Sequence, residues 1–114
     1  MMVDKSLLAG STTMLVLKLL DGQDMYGYQM IEELSRSERA FALKTGTLYP
    51  LLHSLEEKEL IRSYEKDEGA ARPRRYYHLE RKGQHLLREK EVEWATFTTA
   101  VDRVLKGGVC LGSA

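Results

Sequence analysis

From Glu80 to Lys106 the chain runs "ERKGQHLLREKEVEWATFTTAVDRVLK", with no proline and no glycine beyond Gly83. That run predicts one helix from about Glu80 to Lys106, ~40 Å long at the rise of an α-helix. Leu87, Trp94, Phe97, Val101 and Val104 fall at intervals of seven, three, four and three, a heptad-like seam with Lys90 as its weak member. A helix of that length outruns any body that the preceding residues can build. Its stripe, bearing Trp94 and Phe97, therefore needs another surface, most simply the same helix in a twofold mate. Two copies are expected.

The residues before it must form the body. "STTMLVLKLLDGQ" has a capping hydroxyl, an apolar run broken only by Lys18, and an Asp-Gly terminator, which predicts a nearly buried helix from about Thr12 to Leu20. Leu7 and Leu8 are expected to pack elsewhere, on another subunit. In "DMYGYQMIEELSRS", Tyr28, Ile31 and Leu34 recur at helical spacing, so a helix is expected from about Tyr26 to Ser37 with Tyr28 in the core. "ERAFALK" either finishes that helix or forms a tight connection.

"LKTGTLYPLLHSLEEKELI" supplies a third helix, with Leu48, Leu51, Leu52 and Leu55 as its apolar stripe. Thr45 or Thr47 can cap it, Pro50 fits a first turn, and Gly46 permits a tight start or a close approach. "GTLYP" is no nucleotide loop, since it lacks the repeated glycines and the lysine-serine ending. At Ile61 the period changes. "LIRSYEK" and "RRYYHLE" flank "DEGAARP", and two β-compatible runs around a Gly- and Pro-containing tip make a hairpin. A three-helix body, a hairpin and a long last helix define an α+β, mainly α, winged helix-turn-helix architecture. Residues 1–79 form the winged unit, 80–106 the dimerisation helix and 107–114 a flexible tail.

The 114 residues carry 17 basic and 17 acidic side chains, and that balance argues against a polybasic binder. The charges are segregated, however. Residues 1–60 hold 6 basic and 9 acidic groups, 61–78 hold 5 and 3, and 79–114 hold 6 and 5. Any polyanion contact should therefore draw on 61–78. Cys110 is the one cysteine and cannot close an internal disulfide. The N-terminal apolar run lacks the flanks of a signal peptide and no stretch reaches membrane-spanning length, so a cytoplasmic protein without membrane contact is expected. His53, His78 and His85 have neither the spacing nor the neighbours of a metal site, and there is no nucleophile–base set. Neither a catalytic residue, a metal nor a cofactor is called for.

Three blocks occur in order: Tyr26-Gly27-Tyr28; Gly46-Thr47-Leu48-Tyr49-Pro50 with Leu55-Glu56 and Leu60-Ile61; and Arg75-Tyr76-Tyr77 with Gly83 and Leu86. With them the chain resembles PadR-like transcriptional regulators, from Leu7 to about Val104. The resemblance implies a dimeric DNA-binding regulator, usually a repressor. Its third helix would enter the major groove, its wing would lie near the minor groove, and its last helix would dimerise. The chain looks like the short subgroup with a single C-terminal helix. Some relatives bind flat aromatic or multidrug-like compounds between subunits through a tryptophan on that helix, and Trp94 falls in a similar region.

On that reading Thr47 and Tyr49 meet base edges or phosphate, or else serve as a cap and a core ring. Lys44 and Thr45 partner phosphates beside the free amides of the helix start. His53 is expected near DNA, and Tyr26 near its backbone. Arg72, Arg74 and Arg75 flank the wing, with Arg74 and Arg75 on opposite faces of the strand. The acidic residues in "EKDEGAARP" weaken the case for wing–phosphate contact relative to the third helix. Leu87, Trp94, Phe97, Val101 and Val104 form a dimer core, or line a site for an aromatic effector. The rival readings are a regulator that senses such an effector, and a protein-interaction module that keeps the fold without DNA binding.

Overall fold

A computed structural model describes residues 5–38, 41–69 and 72–107, and the side chains from residue 10 onward within these spans. Four helices and three strands follow in the order α1 (Lys5–Leu19), β1 (Met25–Tyr26), α2 (Gly27–Ser37), α3 (Thr45–Glu57), β2 (Ile61–Lys66), β3 (Arg74–Leu79) and α4 (Arg81–Leu105). The architecture is the expected mainly helical, winged one.

α1 begins well before the expected Thr12, because nothing in "KSLLAGSTT" breaks a helix strongly enough to stop it. Ser11 and Thr12 are interior, buried positions of that helix and not its cap. Val16, Leu17 and Leu20 are fully enclosed. The expectation for Leu7 and Leu8 falls on side chains outside the described residues, as does that for Cys110.

The sheet has one strand more than the sequence pattern revealed. Met25 pairs with Tyr77 and Tyr26 with Tyr76, so the strand order is β1-β3-β2. A two-residue strand is too short to show a period, and only its partner defines it. α2 therefore starts at Gly27, and its buried face is Gly27, Met30 and Leu34. Tyr28 lies off that face and is 58% exposed, contrary to the core position expected of it. The helix stops at Ser37, and Phe41 N–H donates to the Glu38 carbonyl in the connection that follows.

α3 ends in a left-handed turn. Leu60 N–H reaches back to the Leu55 carbonyl, and Glu59 adopts φ 62° in the position that usually takes glycine. This turn delivers Ile61 into β2. The Leu60 carbonyl also accepts from Glu80 N–H, and a side chain at Gly83 would collide with that carbonyl. Gly83 thus lets the start of α4 lie directly on the turn.

The core joins Val16, Leu17 and Leu20 of the first helical segment to Met30, Leu34, Leu48, Leu52, Leu55, Ile61, Tyr77, Leu79 and Leu87. Leu87 is 2% exposed, so the first residue of the predicted seam belongs to the protomer's own core and is not available to a partner. Past it α4 continues beside α1, where Glu91 lies 4.0 Å from Lys18, and the chain measures 67 × 32 × 21 Å. Trp94, Phe97 and Val104 are 45, 58 and 66% exposed, and Val101 is half-buried.

Candidate nucleic-acid interface

The first turn of α3 is open to solvent from Lys44 to Thr47. Lys44 is the N-cap, in extended conformation, and its carbonyl accepts from the amides of Thr47 and Leu48. No side chain caps this end, so the expected capping role of Thr45 or Thr47 is not seen. Their hydroxyls are left for other partners, and the amides of the first turn point outward with the positive end of the helix dipole.

Pro50 is the sixth residue of α3 and sits one turn deeper than expected, where its missing amide deprives the Gly46 carbonyl of its helical donor. Gly46 makes no close approach either, since a β-carbon there would meet nothing within 4 Å. The helix thus offers a flat, open patch around Gly46, Thr47 and Pro50. His53 continues this exposed face and lies 3.8 Å from Glu57, an acid that sequence reading did not weigh beside it.

Tyr49 has two roles. Its ring lies against Gly27, where a β-carbon would come within 2.5 Å of the hydroxyl oxygen, and it remains 44% exposed. It therefore braces α3 on the start of α2 while presenting its edge to solvent. Exposed Tyr28 follows directly on Gly27 and was missed, because spacing alone assigned it inward.

The wing hairpin splits its side chains by the two-residue period of a strand. Tyr77 faces the core at 6% exposure; burial pushes its phenol pKa upward. Arg75 shares that face and is paired across the strands with Glu65. The other face carries Tyr26, Tyr76 and Tyr64 in a row, with ring centroids 5.5 and 5.8 Å apart. Arg74 stacks over Tyr26 at 4.6 Å, and Lys66 lies 5.3 Å from the Tyr76 centroid. Arg74 and Arg75 thus do point to opposite faces, and Tyr26, the N-cap of α2 as expected of a residue at that helix start, also joins Arg74 on the sheet through β1.

Of the acidic residues of the wing, Glu68 turns onto this network. Glu68 accepts from the Tyr76 hydroxyl at 2.6 Å and from Arg74 at 3.2 Å, and Asp67 accepts from Gly69 N–H at 3.0 Å. The Tyr76 hydrogen bond, helped by Arg74 and Lys66, holds the Glu68 carboxyl below its ordinary pKa, and the same bond raises that of Tyr76 against the opposing charge of Arg74. Arg72 is exposed at the tip.

Below this row Asp24 bridges the Tyr64 hydroxyl at 2.6 Å and His78 Nδ1 at 2.7 Å. Burial disfavours the Asp24 carboxylate, but these two hydrogen bonds outweigh it and lower its pKa. Among the described residues no group of His, Cys, Asp and Glu could hold a metal.

On α4, the Trp94 and Phe97 rings lie 6.2 Å apart. Trp94 also borders a cleft of about 260 Å³ with Met14, Leu15, Lys18, Leu87 and Glu91.

An exposed helix start beside an arginine-bearing hairpin, on a body that ends in a long helix with an exposed apolar stripe, defines a winged helix-turn-helix regulator. The chain belongs to the Transcriptional regulator PadR-like family, whose pattern it matches over residues 16–89. It is a transcriptional regulator and not an enzyme. Three solved structures are similar. A PadR family transcriptional regulator from Eggerthella lenta is 34% identical, covering 88% of this chain and 86% of its own, with a TM-score of 0.77. A PadR-like transcriptional regulator from Bacillus cereus is 28% identical over 89% and 97%, with a TM-score of 0.79. A transcriptional regulator from Clostridium thermocellum is 25% identical over 87% and 97%, with a TM-score of 0.80. Among the described residues no helix is long and apolar enough to cross a membrane.

Proposed function

We propose that two copies of this chain pair through α4 and bind a palindromic operator in double-stranded DNA as a cytoplasmic repressor. The observation that carries the reading is the uncapped, solvent-open start of α3 from Lys44 to Thr47. A helix start of this kind combines free amides and a lysine for phosphate with threonine for base edges. Twofold symmetry would set the two α3 helices in successive major grooves, about 34 Å apart.

In this reading Lys44, Thr45 and the first-turn amides hold phosphate, while Thr47 and His53 lie near bases. Tyr49 adds a phosphate contact from its braced position. Arg72 and Arg74 approach the neighbouring backbone from the wing, with Arg75 on the opposite face of the strand, and Tyr26 supports Arg74 from beneath. Trp94, Phe97, Val101 and Val104 form the seam with the partner. Residues 1–79 serve as the reading unit and 80–106 as the dimerisation element.

Genomic-fragment selection with the purified protein should return fragments that share an inverted repeat. Binding to the recovered duplex should weaken steeply with salt, log K falling by about 0.9 per log unit for each phosphate contacted. Retention unchanged between low and moderate salt would overturn the phosphate-contact reading.

A second reading is favoured by Trp94 itself, half-exposed beside Phe97 and bordering a cleft. A flat aromatic effector between the α4 helices would bias the separation of the reading heads and so shift DNA affinity. Titration of such compounds should change Trp94 fluorescence, and an unresponsive Trp94 would remove this site.

A further inference from the structure

The wing holds an anion of its own. Three groups that would suit a phosphate converge at its tip: the Tyr76 hydroxyl, the Arg74 guanidinium and, over the Tyr76 ring, the Lys66 ammonium. The anion they meet is the Glu68 carboxylate, one oxygen on Tyr76 and the other on Arg74. Phenol and guanidinium donors are the equipment with which proteins grip a DNA phosphate. We propose that Glu68 is a built-in counter-anion of the wing, occupying on Arg74 and Tyr76 the place of a DNA phosphate, so that wing engagement exchanges one anion for another and Glu68 sets its strength. The inference rests on the DNA-binding reading above and deepens it at the wing.

The remaining wing acids do not serve this purpose. Asp67 is engaged in the turn through Gly69 N–H, and Glu65 lies on the opposite face of the hairpin, across from Arg75. Arg62, the other arginine on the outer face, is paired with Glu80 at 2.8 Å, away from the tip. The depressed pKa of Glu68 is consistent with a carboxylate held ionised by its donors. The side chains of Arg74 and Glu68 are 48 and 30% exposed, so a phosphate can reach the pair from solvent. The exchange should be close to balanced, because exposed ion pairs of this kind are weak. A small change at position 68 should therefore register in binding.

The test uses the full chain and a mixed-sequence DNA duplex, since phosphate contacts do not depend on sequence. Glu68→Gln keeps an oxygen acceptor for Tyr76 and Arg74 but removes the charge. It should tighten binding about two- to five-fold and steepen the salt slope by up to about 0.9. In an Arg74→Gln background the same change should give a clearly smaller gain, because the charged one of the two contested donors is gone. An equal gain in that background would mean a general charge effect and overturn the proposal. A loss of affinity in Glu68→Gln, with circular dichroism and melting midpoint unchanged, would make Glu68 a support of the tip and overturn it as well. Failure of the wild-type chain to bind any duplex at low salt would instead sink the DNA reading, and this inference with it.

Discussion

Tyr49 lies across the backbone of Gly27, so that a β-carbon at position 27 would meet its hydroxyl oxygen at 2.5 Å and its Cζ at 2.7 Å. The contact fixes the presented helix α3 against the junction of β1 and α2. Gly27→Ala should force the ring aside and destabilise the fold by about 1–3 kcal/mol, the usual range for overpacking. In a Tyr49→Ala background the substitution should be much milder, a coupling that a double-mutant cycle in urea would measure. Equal penalties in both backgrounds would mean that the ring yields freely.

Phe97 presents its ring to solvent beside Trp94 on α4. Phe97→Asp should place a charge in the proposed seam and weaken self-association by about ten-fold or more. Sedimentation should then show weaker self-association than in the wild type at the same concentration. An unchanged association state would move the interface elsewhere.

Asp24 links the loop before β1 to both wing strands through Tyr64 and His78. Its folded pKa lies below the ordinary 3.8. A depressed pKa contributes stability that is fully present above the unfolded value and is lost as pH falls through the folded one. The wild type should therefore lose stability as pH drops below about 5, and Asp24→Asn should show a flatter acid limb. On the alkaline side the hydrogen bond to Asp24 raises the Tyr64 pKa above 10.0. That contribution is present below the unfolded value and disappears as pH rises through the folded one, so Tyr64→Phe should flatten the alkaline limb. Urea midpoints across pH would check both, and parallel wild-type and mutant profiles would contradict the linkage.

Glu59 holds φ 62° at the end of α3, a conformation that costs an L-residue about 1 kcal/mol or more. Glu59→Gly should relieve this strain and raise the melting midpoint by about 3–6 °C. A lowered midpoint would show that the Glu59 side chain contributes more than its backbone loses.

The wing illustrates how far sequence reading reached. The strand period of "RRYYHLE" correctly separated Tyr76 from Tyr77 and Arg74 from Arg75, because alternation is a property of one strand. It could not say that Arg74 stacks on Tyr26, since β1 has no period of its own and exists only through its pairing with β3. Spacing on α2 likewise misplaced Tyr28. The true buried stripe runs through Gly27, whose lack of a side chain hides it from any hydrophobic pattern.

By itself the sequence determined the order of the four helices, the hairpin after the third and the length of the last helix. Each is written in local periodicity, turn residues and the absence of breakers over a few consecutive residues. Only the tertiary structure decided what joins them: Tyr49 on Gly27, Gly83 under the Leu60 carbonyl, Glu68 between Tyr76 and Arg74, and Asp24 with Tyr64 and His78 across separations of 40 and 54 residues. The physical reason is that such contacts depend on how separate elements are brought together in space, and neither partner carries a local mark of the other.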